Sequence, residues 1–238
     1  MVERSNTKRF TNKAASEAKR LRTRALLMDA AVTVFARRGV EGAAISEIAA
    51  EAAVAIGTFY YHFKDKSELV DIVGHEVAAQ LVAEVDEVMA PIGKGTERVA
   101  LGTQCFLRFA AADPEWGHLV VNALTDMRDF RDRISAGIRK DVAIGVKQKG
   151  FEVPVNELLF TSVLAVVATG LRAILSGEKA RPTEMQTAAM VLQLLGISVR
   201  KAHDLVGAVS PLLSQIVLRP KATEQRGKST PGRMRTAT

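Results

Sequence analysis

The sequence predicts an all-α protein, and three observations carry the prediction. Apolar residues recur at helical spacing from Leu27 onward. No stretch alternates with period two for long enough to argue a strand. Aromatic residues make up only 5% of the chain, while Ala, Leu and Val recur throughout, which suits helices packed through aliphatic side chains. With 238 residues and 47% hydrophobic content, there is material for one or two ordinary cores. No internal repeat is visible.

The first strong helix ends at Gly39. Leu27, Ala30, Ala31, Val34 and Phe35 form one apolar stripe, Arg37 and Arg38 complement the C-terminal dipole, and Gly39 suits a left-handed cap. Helix-compatible sequence extends back towards Ser16. Two short helices follow: one carries Ile45, Ile48, Ala49 and Ala52 on a face, and the other runs from about Ala55 to Tyr61. Asp65 then opens a helix with Glu68 three residues on, a capping-box-like pair, and the pattern continues to about Met89. Pro91 to Gly95 is a break. Beyond it the periodicity predicts helices near 96–112, 116–128, 130–149, 155–176, 183–200 and 203–217, with Thr183 and Gln186 as a further capping box.

The 155–176 segment is apolar nearly all round, so it must be buried on several sides. Together with 183–200 it suits either one small core or a four-helix dimer interface, and the dimer is the favoured reading. Its uncharged run, Leu158 to Leu171, is 14 residues long. A membrane-spanning helix needs roughly 18 or more, so a buried helix is expected and no membrane partner.

Charge is unevenly placed. Residues 1–24 hold eight Lys/Arg against two Glu, and residues 219–238 hold six against one, although the net charge is +7. The body is therefore mildly acidic between two basic ends, and basic ends are attracted to polyanions such as DNA. The tail 219–238 lacks core-forming residues and reads as disordered, and 1–20 as a basic flexible arm. The N-terminus has no apolar signal-peptide core, and the lone Cys105 sits in an apolar run, which together suggest a cytoplasmic protein with a buried, inert thiol. His62, His75, His118 and His203 make no metal-ligand spacing, so neither a metal nor a cofactor is expected.

The informative segment is 44–63. Its spacing fits two short helices crossing at a tight turn, with Ala49 and Ala52 small where helices approach and Val54 plugging the turn. Gly57 and Thr58 offer little bulk, so the second helix can enter a major groove, where base edges are distinguishable. Tyr61, His62, Lys64 and Lys66 follow and could hydrogen-bond phosphates.

This segment resembles the helix-turn-helix of TetR-type bacterial regulators. The resemblance rests on Ile48-Ala49, Ala53-Val54, the string Gly57-Thr58-Phe59-Tyr60-Tyr61-His62-Phe63, and Lys66, with Ala30-Ala31, Phe35 and Gly39 before them. It covers about 21–81. Three positions depart from the usual pattern: Ala43 and Ala55 stand where a hydroxyl residue is common, and Ala53 where Gly is common.

The resemblance implies a three-helix DNA-binding domain over 21–81 and a C-terminal helical domain for effector binding and dimerisation over 82–218. Ile56 and Thr58 would face bases, Gly57 would permit close approach, and Tyr61, His62 and Lys66 would face phosphates. Tyr60 would pack and orient its neighbours. A small-molecule pocket is implied between the helices of 100–175, with Phe106, Phe109, Trp116, Asn122, Met127 and Phe160 as candidate lining. Leu164, Val167, Leu171, Val191 and Leu195 are candidates for the dimer interface. The implied function is a homodimeric repressor on double-stranded palindromic DNA, released by a small, largely apolar effector that shifts the helix after Lys66. A DNA-bound organiser without a ligand switch and an α-helical enzyme are the alternatives. The enzyme reading lacks any patterned nucleophile, base or metal group.

Overall fold

A computed structural model describes residues 19–215, and among them there are ten α-helices and no strand. The basic arm before residue 19, the tail 219–238 and the end of the last expected helix lie outside the described residues.

Helix α1 spans Lys19–Gly42, interrupted at Gly39 (φ 70°, ψ 167°). This is not the left-handed helical cap expected there but an extended positive-φ conformation open essentially to glycine alone. The expected stripe is buried, but so are Met28 and Val32, because α1 packs on two sides. Helices α2 (Ile45–Glu51) and α3 (Ile56–His62) cross at the expected turn. Helix α4 (Lys66–Met89) starts as expected: Asp65 Oδ1 accepts from Glu68 N at 2.9 Å, and Glu68 Oε2 accepts from Lys64 N at 2.6 Å.

The body consists of α5 (Gly95–Ala111), α6 (Pro114–Asp126), α7 (Arg128–Lys147), α8 (Glu157–Leu175), α9 (Ala180–Leu194) and α10 (Val199–Val209), closed by a 3-10 turn at Ser210–Gln215. Helix α5 is central, with α4, α6, α7, α8, α9 and α10 against it. Gln148 staples its start, accepting from Gly95 N and donating to Gly93 O, each at 2.9 Å. Cys105 on α5 is fully buried, and burial pushes its thiol up to about 12, so it is inert as expected.

Helix α9 differs from the expectation at both ends. It begins at Ala180, with Pro182 in its first turn, where a missing N–H breaks no helical bond. Thr183 is thus inside the helix, and its hydroxyl donates to Lys179 O at 2.9 Å rather than capping. The helix stops at Gly196 (φ 84°), where Gly196 N donates to Gln193 O and Ile197 N to Leu192 O, the two bonds of a Schellman cap.

Helix α8 is 19 residues long, and by length and composition alone it could cross a membrane. One face, with Phe160, Val163, Val167 and Leu171, is buried in the body.

Candidate nucleic-acid interface and effector cleft

The reading head is built on Phe59 and Phe63. Both rings are buried, 5.6 Å apart, and point α3 into the core of α1, α2 and α4. Because Phe59 and Phe63 lie four residues apart, the opposite face of α3 is set outward. It presents Ile56, Gly57, Tyr60, Tyr61 and Lys64; Ile56 is 50%, Tyr60 56% and Tyr61 73% exposed. Thr58 is half-buried beside this face, as is His62. The structure therefore corrects the reading of Tyr60 as a packing residue. Its ring meets Phe59 edge-on at 5.4 Å, but most of the side chain is open. The spacing Ile56–Tyr60, four residues, carried this signal in the sequence.

Ala53 closes the turn between α2 and α3 at φ 55°, with Ala53 N donating to Ala50 O and Val54 N to Ala49 O. The left-handed conformation is the reason glycine suits this position, and alanine takes it at a cost. Val54 is half-buried against the core, as expected. The N-cap of α2 is Ala44 rather than Ala43; Glu47 Oε2 accepts from Ala44 N at 3.2 Å, half of a capping box that alanine cannot complete. Ala55 caps α3 without a side-chain bond.

The surroundings of the face are basic. Lys19, Arg20 and Arg22 are exposed at the start of α1, and Arg24 stacks over Phe63 at 4.9 Å. Burial first, and then the Arg20 and Arg24 guanidiniums, hold the His62 imidazole below its ordinary value.

Lys66 does not face outward. Its Nζ donates to Val40 O at 3.0 Å, Glu41 O at 3.2 Å and Ala43 O at 3.0 Å, occupying all three ammonium protons. Those carbonyls follow the Gly39 break, so Lys66 ties the end of α1 to the start of α4. The reading of Lys66 as a phosphate contact does not hold for this arrangement, because no donor is left over.

The head is fastened to the body twice. Helix α4 runs continuously from Lys66 into the body, and α1 lies along α6, where Asn122 Nδ2 donates to Phe35 O at 3.1 Å. Asn122 is thus a link between domains. Met127 packs beneath α4, where a methyl on Gly74 would stand 3.0 Å from its sulfur. Trp116 is fully buried in the core and Phe109 half-buried against it. None of these four lines the main cleft.

That cleft lies between α4, α5 and α7, partly open to solvent, with about 70 Å³ of free interior and Val163, Val167 and Val191 at its floor. Of the expected lining residues, Phe106 is there; Phe160 lines a separate polar groove between α6, α7 and α8. Sequence reasoning missed the α4 wall, Leu81, Val82, Val85 and Asp86. At one end Arg98 Nε donates to Asp141 Oδ1 at 2.5 Å, and its Nη1 donates to Met89 O at 2.7 Å and Ile92 O at 3.1 Å. Burial raises the Asp141 carboxyl above its ordinary value, against the opposing pull of Arg98.

The expected dimer residues need correction. Leu164 is 8% exposed, Val167 4%, Val191 1%, and Leu171 and Leu195 not at all, within a single chain. They are used up in the chain's own core, leaving no surface for a partner. Among the residues that α8 and α9 turn outward are Leu158, Thr161, Ala165, Thr169, Met190 and Leu194, with Arg172 and Gln186 beside them.

Comparison with known proteins agrees with this geometry. The family profile described as "Bacterial regulatory proteins, tetR family" matches residues 27–73, and that of "Tetracyclin repressor-like, C-terminal domain" matches 95–207. Among curated relatives, a fatty acid metabolism regulator protein of Bacillus subtilis is 33% identical over 75 residues, 32% of this chain and 39% of the relative. The HTH-type transcriptional regulator AcrR of Shigella flexneri is 45% identical over 47 residues, 20% of this chain and 22% of the relative. The chain thus spans well under half the length of these two relatives. Similar solved structures include RolR in complex with resorcinol (TM-score 0.61, 24% identity, covering 79% of this chain and 94% of that one). FadR of Bacillus subtilis in complex with stearoyl-CoA is another (TM-score 0.55, 20% identity, covering 73% and 98%). At these identities the structures speak for the fold. The profiles cover both the reading head and the helical body in order, and the chain belongs to the TetR family of bacterial regulatory proteins.

Proposed function

We propose that the chain is a dimeric, sequence-specific transcriptional repressor that leaves its operator when a small, largely apolar molecule enters the cleft of α4, α5 and α7. The observation that carries the reading is the outward face of α3. An isoleucine, a glycine and two tyrosines there are exposed to solvent, and a basic helix end flanks them. An α-helix of this size fits the major groove. Ile56 can meet a thymine methyl, and Gly57 lets the backbone approach. Thr58 sits at the rim of the face, where its hydroxyl would reach a base edge. Tyr61, His62, Lys64 and the Arg20–Arg24 end of α1 would hold phosphates, which set affinity and register.

Two such faces must be held at a fixed separation. The exposed Leu158, Ala165, Met190 and Leu194 of α8 and α9, interspersed with threonines, support pairing with a second copy in a four-helix arrangement. The cleft supports the ligand half of the reading: its walls are mostly apolar with a few polar groups at one end, the usual make-up of a small-molecule site. It is walled by α4, the helix that begins at the head. A ligand that fits the cleft only when α4 has moved would bias the two heads away from operator spacing, by its differential affinity for the two states.

Selection of binding sites from a random duplex pool at fixed salt tests the reading. A single palindrome is expected, and Tyr61→Ala or Ile56→Asn should lose it. Enrichment of no motif, with weak binding that salt abolishes, would overturn sequence-specific recognition by α3.

A further inference from the structure

The main cleft has a polarity that its apolar walls conceal. Twelve of its sixteen lining residues carry no polar side chain; the other four are Asp86, Arg98, Thr103 and Asp141. Most of the donors among them are spent inside the protein, and only the Nη2 group of Arg98 keeps its N–H groups for a ligand. Arg98 gives Nε to Asp141 and Nη1 to two backbone carbonyls, and the Thr103 hydroxyl donates to Val99 O at 2.9 Å. What faces a ligand is therefore mostly acceptor: the Asp86 carboxylate, the second oxygen of Asp141 and the Thr103 oxygen, against the one Nη2 group of Arg98. Asp86 is exposed at the mouth and makes no ion pair among the described residues. Two carboxylates against one guanidinium leave the lining with a net negative charge. Lys140 neighbours Asp141 in sequence, but it is exposed and not part of the lining.

Three kinds of amphiphile could place an apolar body against the valine floor. A carboxylate head would be desolvated beside two like charges, with only the Nη2 edge of Arg98, a guanidinium already paired with Asp141, to meet it. A neutral hydroxyl would make one hydrogen bond. A protonated amine would supply three donors and one positive charge where acceptors and negative charge await them. Resting on the reading of the cleft as the effector site, we propose that it selects a monocationic amphiphile, an alkyl or aryl ammonium whose head lies between Asp86 and Asp141. The two carboxylates already feel each other: Asp86 is among the groups that raise the Asp141 carboxyl, and a cation between them relieves that repulsion. Asp86 lies on α4, so the same contact pulls on the helix that leads to the reading head.

Calorimetric titration of the full chain with octylammonium, octan-1-ol and octanoate, at one pH and ionic strength, tests this with a constant apolar body. The ammonium should bind on the order of tenfold tighter than the alcohol, with octanoate weakest. Asp86→Asn, at an exposed position that the fold does not need, should remove about that factor for the ammonium and leave the alcohol unchanged. Equal or tighter binding of octanol or octanoate, or an ammonium affinity indifferent to Asp86→Asn, overturns the selectivity while leaving the cleft a ligand site. Absence of binding by all three up to millimolar concentration overturns both the selectivity and the reading of the cleft.

Discussion

Replacing Lys66 by methionine keeps the aliphatic stem and removes the ammonium, and the structure sets the size of the effect. Three charge-assisted hydrogen bonds disappear, to Val40 O, Glu41 O and Ala43 O at 3.0–3.2 Å. Singly, bonds of this kind contribute about 1.5–3 kcal/mol. They share one donor, and the Glu41 bond is exposed, so they do not add and water takes back part of the loss. A net cost of about 2–3 kcal/mol follows. For a domain of this size each kcal/mol moves the midpoint by about 2–4 °C, so Lys66→Met should melt roughly 5–10 °C lower by circular dichroism. The same variant titrated on operator DNA over a salt series separates the two roles a lysine can have there. A brace leaves the slope of log K against log salt intact once the protein is folded. A phosphate contact lowers that slope by about one unit. An unchanged melting midpoint together with a reduced slope would refute the brace and return Lys66 to the DNA-facing set.

Four further outcomes follow from the geometry. Ala53→Gly relieves the φ of 55° at the helix-turn-helix corner and should stabilise the fold by about 0.5–1 kcal/mol in urea denaturation. Gly170→Ala places a methyl 2.3 Å from Thr187 Oγ1 where α8 meets α9, and should cost about 1–3 kcal/mol. Adding Thr187→Ala should recover part of that, because the 3.1 Å approach to Cβ remains. Arg98→Met strands Asp141 at the end of the cleft and should cost about 3–5 kcal/mol at neutral pH. Asp141 already sits above its unfolded value, so its ionisation opposes folding as pH rises; without Arg98 the shift grows, and the deficit measured at pH 8 should exceed that at pH 5. His62 is held below its ordinary value in the free chain, and DNA phosphates would raise it again. Operator binding should then take up a proton and strengthen as pH falls through the window below about 6.5, and His62→Gln should flatten that dependence in fluorescence anisotropy.

Most helices were legible because their signals are local. The stripe from Leu27 to Phe35, the Asp65–Glu68 start and the breaks at Pro91 and Pro114 need no tertiary information. Where local signals compete, the reading slipped. Thr183–Gln186 looks like a capping box, but Pro182 is equally at home in a first turn, and Gly196 stops a helix whose apolar pattern runs on. In the reading head, the string Gly57 to Phe63 located the site, yet the direction of Lys66 depends on carbonyls more than twenty residues away. The dimer residues were misassigned for a related reason. A helix that is apolar all round does not say which side its own chain covers; α5, α6, α7 and α9 all pack on α8, and the side holding Val167 and Leu171 is buried. The cleft was partly legible: Phe106 was foreseen, but the α4 wall was not, because the lining was expected only between residues 100 and 175.

The cleft and the head share structural elements in direct contact. Leu81, Val82, Val85 and Asp86 face the cleft from the helix whose first residue braces the end of α1. Asn122 holds Phe35 O from the other side, so a displacement of α4 against α6 must shear the head. Phe59 and Phe63 anchor α3 in the same buried core as Val73 and Val77 of α4.

Hydroxyl-radical footprinting of the full chain on its selected duplex tests the central claim most directly. The account predicts two protected patches on one face of the DNA, about one helical turn of 10–10.5 base pairs apart or a multiple of it, both lost with Tyr61→Ala. A single diffuse protection that tracks salt and ignores Tyr61 would contradict it.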